Sequence, residues 1–168
     1  MAADLARLVE REGLAPARLV GHSMGGKAAM TLALTRPELV ERLAVVDVAP
    51  VDYGAGQGFA GYIRAMLAVD LEHIRRRAEV EAALAPAVPD PGIRAFLAAN
   101  LETRDGRLRW LPNLPVLLES LPSITGFPAE LQGRRYDGPT LFLRGGRSDY
   151  VLPEHEPLIR RLFPAARI

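Results

Sequence analysis

The residues best suited to chemistry lie near the start of the chain, in Leu19-Val20-Gly21-His22-Ser23-Met24-Gly25-Gly26-Lys27. Gly21-x-Ser23-x-Gly25 is the G-x-S-x-G pattern of a nucleophile elbow. A serine hydroxyl is a useful nucleophile only where the backbone presents it and a base can take its proton. The flanking sequence meets the first condition. Ala17-Arg18-Leu19-Val20 reads as a short buried strand, and Lys27 to Thr35 as a helix rich in Ala, Leu and Met. A sharp turn between them would hold Ser23 in a strained conformation with its hydroxyl exposed. Gly21 and Gly25 fit such a turn because side chains at both places are expected to clash across it. The helix N-terminus under the turn puts a positive dipole end where an oxyanion would form. The backbone N–H of Met24 is the expected oxyanion donor.

Two places could supply an acid. Asp47 is the one charge in an apolar, β-branched run, Leu43 to Val48, and stands near its C-terminal end. Sites in open parallel sheets collect at that edge, and a lone acid in an apolar strand needs a partner. Ser148 and Asp149 follow a later strand, Thr140 to Arg144, in the loop Gly145-Gly146-Arg147-Ser148-Asp149. Asp149 also reads as a solvated loop charge or as a cap for the helix at Pro153. No histidine is an obvious base. His22 adjoins Ser23, and adjacent side chains around an elbow diverge, so it reads as a packing residue. His73 sits among charges and reads as a surface residue, and His155 falls in the helix after Pro153.

The elements that must position these groups follow in order. Asp4 to Arg11 reads as a helix with Leu5, Leu8 and Val9 on one face, ended by Gly13 and Pro16. After the elbow and its helix, the strand from Leu43 suits a parallel position covered on both faces. Strand, helix, strand is a βαβ unit. Pro50 and the glycines at 54, 56, 58 and 61 then mark an irregular loop. Helices are expected at Phe59 to Leu71, Leu71 to Leu84, Ile93 to Leu101 and Leu114 to Leu121, with a short extended piece at Arg107 to Trp110. This stretch, roughly 52 to 130, reads as a helical insertion rather than part of a sheet. The sheet resumes at Thr140, a helix follows from Pro153 to Phe163, and Ala165 to Ile168 begins a fourth strand.

Composition narrows the function classes. A chain of 168 residues suggests one domain, and 49% hydrophobic residues allow a sizeable core. A net charge of +1 from nearly balanced acids and bases gives no reason to expect nucleic acid as a partner. With no cysteine, disulfides and thiol catalysis are excluded, which fits a reducing, cytoplasmic compartment. No apolar run reaches the ~18 residues of a membrane span.

Three segments together resemble the α/β-hydrolases, and more narrowly the YbfF-type bacterial esterases: Gly21 to Lys27, Asp47-Val48-Ala49-Pro50-Val51-Asp52-Tyr53, and Leu143-Arg144-Gly145-Gly146-Arg147-Ser148. The resemblance implies an α/β fold with a parallel sheet, flanking helices and a helical cap. Residues 1–51 would be part of the hydrolase core, 52–130 the cap, and 131–168 the remainder of the core. It also implies a Ser–acid–His triad and hydrolysis of small-molecule esters or thioesters without cofactor or metal. Ser23 is then the nucleophile. Ser148 fills the place where the usual Gly-x-x-Asp puts the acid, and in the resembled esterases the acid comes from the earlier strand. This favours Asp47 as acid with Ser148 beside it, and leaves Asp149 as the alternative acid.

The family's upstream strands, its His-Gly loop and its Gly-His loop after the last strand have no match here. The expectation is therefore an internal piece of a longer hydrolase, catalytically poor by itself. The alternative is a non-catalytic, hydrolase-like binding protein. Arg75-Arg76-Arg77 could attract an anionic acyl carrier or coenzyme A thioester, although a solvated helix face explains them more simply. Phe59, Tyr62, Phe96 and Trp110 could line an acyl pocket or pack the cap.

Overall fold

A computed structural model describes residues 1–54 and 58–168. Gly56 of the glycine-marked loop lies outside the described residues. The chain divides into two compact units, Met1–Asp52 with Gly126–Ile168, and Tyr53–Thr125.

The first unit is built on a parallel sheet. Helix α1 (Ala2–Arg11) buries Ala6 and Val9, while Leu8 of the expected apolar face is 43% exposed. Its end is a Schellman motif. Gly13 takes φ 64°, its N–H donates to Glu10 O (3.1 Å), and the N–H of Leu14 donates to Val9 O (2.9 Å). Strand β1 (Ala17–His22) leads into α2 (Met24–Thr35), and a 3₁₀ turn (Pro37–Leu39) leads into β2 (Val40–Val46). Strand β1 pairs β2 in parallel, and β2 in turn pairs β5 (Thr140–Leu143). A short β6 (Ala166–Arg167) completes the order β1-β2-β5-β6.

The two faces of this sheet differ. Leu43, Val45 and Phe142 are buried, with α2 packed on β1 and β2. Phe163, at the end of α7 (Glu156–Leu162), meets Phe142 edge-on at 5.7 Å. The alternate residues form rows across the other face: Val20, Ala44 and Leu141 in one, His22, Val46 and Leu143 in the next. Val20 is 78% exposed, Leu141 40% and Leu143 49%. In this chain the strands are covered on one face, and the apolar residues of the other face are exposed. An all-apolar run cannot say which of its faces a helix covers.

The second unit holds α3 (Phe59–Leu67), α4 (Arg77–Leu84), α5 (Pro91–Ala98), a hairpin of β3 (Leu101–Arg104) with β4 (Arg107–Trp110), and α6 (Leu114–Thr125). The extended piece expected at Arg107 to Trp110 is β4, and its antiparallel partner β3 is the strand that was not foreseen. Asp105 and Gly106 take φ 52° and 71°, the paired positive values of a tight two-residue turn. The helix expected from Leu71 begins only at Arg77. The Glu79 carboxylate accepts the N–H groups of Arg75 (3.0 Å) and Arg76 (3.3 Å), which fixes the start there. Asp90 accepts the Ile93 N–H (2.9 Å) ahead of Pro91 and so starts α5. Ile63, Met66, Val80, Leu84, Val88 and Leu97 pack at the centre of this unit.

Candidate active site

Ser23 stands between the last residue of β1 and the first of α2, with φ 51° and ψ −121°. Non-glycine residues avoid positive φ unless the surroundings impose it. Here the Ser23 N–H donates to Val46 O (3.0 Å), and its carbonyl accepts the N–H of Lys27 (3.1 Å). The turn is thus tied to β2 on one side and to the helix on the other. Ser23 is exposed, and so is Met24, whose amide opens the helix.

The glycine reading needs a correction. A Cβ at Gly21 would lie 2.5 Å from Gly25 O, so glycine is required there. A Cβ at Gly25 would meet nothing within 4 Å. The second tight position is Gly26, whose Cβ would lie 2.6 Å from Val48 Cγ1 and 3.0 Å from Gly21 O. The motif spacing pointed to Gly25 because it cannot show which glycine leans on β2.

Asp47 occupies the matching place after β2. Its φ is 54°, and its N–H donates to Leu143 O (2.7 Å). Its carboxylate is held twice. The Gly145 N–H donates to Oδ1 (3.0 Å) and the Ser148 hydroxyl donates to Oδ2 (2.8 Å). The Ser148 oxygen in turn accepts the Tyr150 N–H (3.3 Å). Asp47 and Ser148 are therefore brought together across two strands. Asp149 is exposed on the same loop, and the contacts to Asp47 come from Gly145 and Ser148. The donor at Gly145 was not foreseen, because a backbone amide carries no signal in residue type.

Two of the three histidines are engaged elsewhere. His22 is exposed at the end of β1. His73 Nδ1 lies 2.7 Å from Asp70 Oδ2 in the second unit. His155 Nδ1 accepts the Leu152 N–H (3.2 Å) and caps a 3₁₀ turn, Pro153–His155. Among the described residues no group of three or more acidic or histidine side chains could hold a metal. Also among them, no helix is long and apolar enough to cross a membrane.

A strained serine thus stands between a parallel strand and a helix, with an acid just past the end of the adjacent strand. The alpha/beta hydrolase fold family model matches residues 1–168. The chain belongs to the alpha/beta hydrolase fold family.

An sn-1-specific diacylglycerol lipase of Mus musculus is 48% identical over 172 residues, covering 100% of this chain and 55% of that protein. Esterase YbfF of Escherichia coli is 32% identical over 170 residues, covering 99% of this chain and 63% of that protein. A solved marine microorganism esterase superposes with a TM-score of 0.90 at 31% identity, covering 99% of this chain and 65% of that one. The chain thus spans just over half the length of the curated lipase it matches.

For this alpha/beta hydrolase chain, the other sequence expectations resolve individually. Arg75, Arg76 and Arg77 lie at the start of α4, where Arg76 reaches Glu79 (2.7 Å) and Arg77 reaches Leu101 O (3.2 Å). Tyr62 and Trp110 pack on the core of the second unit, and the Trp110 indole N–H donates to Met66 O (3.1 Å). Phe59 and Phe96 are 39% and 70% exposed.

Proposed function

We propose that the chain carries the nucleophile and acid of a serine hydrolase that cleaves carboxylic esters through an acyl-enzyme. The observation that carries this reading is the pair of positive-φ residues after adjacent strands, Ser23 and the doubly held Asp47. In the proposed reaction Ser23 Oγ attacks the acyl carbonyl as a histidine takes its proton. The oxyanion is met by the Met24 N–H and the positive end of α2. Collapse expels the alcohol, and water then releases the acid and regenerates Ser23. Asp47 would orient the histidine and stabilise its charged form. Ser148 and Gly145 would keep the Asp47 carboxylate ionised and aimed, since hydrogen bonds to a carboxylate favour its charged state. Residues 52–130 are proposed as the helical cap of the hydrolase.

Small-molecule esters are the substrate class, supported by the relatives named as esterase and lipase. Thioesters are a finer possibility that the same chemistry would accept. The Asp47 hydrogen bonds come from Gly145 and Ser148, and none comes from His22, His73 or His155. The reading therefore expects residues 1–168 alone to hydrolyse esters barely above background. Losing one member of a triad costs a factor of roughly 10⁴ or more. The test is p-nitrophenyl acetate hydrolysis by the chain alone and by a chain completed at both ends with the flanking segments of the Escherichia coli esterase. Turnover in the completed chain that vanishes with Ser23→Ala supports the proposal. An inactive completed chain that still binds esters would favour a binding protein.

A further inference from the structure

Lys27 is the only charged side chain buried among the described residues, at 7% exposure. It lies one turn into α2 from Ser23. Its Nζ donates to Val51 O (2.8 Å) and to Gly126 O (2.7 Å). These two carbonyls have special positions in the chain. Val51 lies just before the chain leaves the first unit after Asp52, and Gly126 is the residue at which it returns. Immediately beyond, the Tyr53 N–H donates to Thr125 O (3.2 Å), so the outgoing and incoming segments are also paired with each other.

A helix as apolar as α2 would ordinarily place Leu or Met at such a position. Burying an ammonium is costly unless its donors are used. Burial pushes the Lys27 pKa down to about 8, against the opposing pull of Asp52. What the lysine provides in return is a single group with several donors that can bind two carbonyls distant in sequence.

We propose that Lys27 is a latch: it ties both chain crossings to the elbow helix, so that they move with that helix rather than as independent linkers. It is a positioning residue and not a catalytic one, because its ammonium is directed to backbone carbonyls. The proposal does not depend on the reaction assigned to Ser23.

Hydrogen exchange of the 168-residue chain, read by mass spectrometry, tests it. Lys27→Met keeps the side-chain length and removes the donors. Exchange in segments 49–54 and 124–128 should then accelerate together by about tenfold or more, while β1 and β2 keep their protection. Acceleration in only one segment, uniform acceleration throughout, or none, would overturn the latch. If the methionine variant does not fold, Lys27→Cys gives a unique thiol, since the chain has no cysteine. Alkylation of the unfolded chain with 2-bromoethylamine rebuilds an amine of lysine length, whereas iodoethane leaves a thioether with no donor. After refolding, the aminoethylated protein should regain slow exchange in both segments and the ethylated one should not. Equal behaviour of the two would contradict the proposal.

Discussion

Ser23 and Asp47 occupy equivalent places one residue past a register pair: His22 faces Val46 across β1 and β2, and each following residue turns to positive φ, 51° and 54°. The Ser23 N–H donates to Val46 O and the Asp47 N–H donates to Leu143 O. Each turn is therefore anchored to the next strand of the sheet. Two residues forced into a sparsely populated backbone region at one sheet edge are a pattern that folding alone does not require.

The acid assignment can be tested in the completed chain. Asp47→Asn should lower kcat for p-nitrophenyl acetate by about 10⁴, because an amide cannot stabilise an imidazolium or set its tautomer. Asp149→Asn should change it little. Ser148→Ala should fall between, at about tenfold to a hundredfold, from the loss of one hydrogen bond to a charged group. A larger loss at Asp149 than at Asp47 would move the acid to the loop after β5.

The elbow glycines should separate by stability. Gly21→Ala and Gly26→Ala each push a Cβ into the turn, at 2.5 Å from Gly25 O and 2.6 Å from Val48 Cγ1. Each should cost about 1–3 kcal/mol in urea denaturation. Gly25→Ala meets open space and should be neutral or stabilising by up to about 1 kcal/mol, from helix propensity alone. Equal losses at 25 and 26 would mean that the turn is not packed as described.

The contrast shows what the sequence could and could not reveal. The strand–turn–helix order around Ser23 and the Gly13 stop were legible, because a local pattern and a φ requirement determine them. The second strand of the hairpin, Arg107 to Trp110, was legible as an extended piece; the first was not, because Leu101-Glu102-Thr103-Arg104 is too short to display a period and the helix before it ends only three residues earlier. That Val20 in particular is exposed was not legible, because an all-apolar strand does not show which of its faces is covered. The role of Lys27 was hidden for the same reason, its partners lying 24 and 99 residues away.

Lys27 should also leave a mark on pH dependence. Its folded pKa, about 8, lies below the ordinary 10.5. Below pH 8 both states hold the proton and this group adds no slope. Between pH 8 and 10.5 the unfolded chain binds more protons than the folded one, so stability from this group should rise with pH. Lys27→Met should flatten the unfolding midpoint across that window relative to wild type. A wild-type midpoint that instead falls more steeply than the variant's would give the opposite sign and refute the buried ammonium.

The uncovered face of the sheet carries a solubility consequence. Val20 lies on β1, an edge strand of the sheet, and Leu141 and Leu143 lie on the same face on β5, one strand beyond β2. An apolar face continuous with an unpaired edge promotes association. Residues 1–168 alone should elute from size exclusion as oligomers or be recovered poorly, and Val20→Glu with Leu143→Glu should shift the population toward monomer. A monodisperse wild-type monomer with a cooperative melt would show that this face is tolerated.

The central claim, that Ser23 attacks the ester, is tested most directly by mapping a covalent adduct. The completed chain is treated with a fluorophosphonate, digested, and the modified peptide sequenced by mass spectrometry. The account expects one adduct, on Ser23, absent in Ser23→Ala and slowed in Asp47→Asn. An adduct on Ser148 or elsewhere, or ester hydrolysis that survives Ser23→Ala, would contradict it.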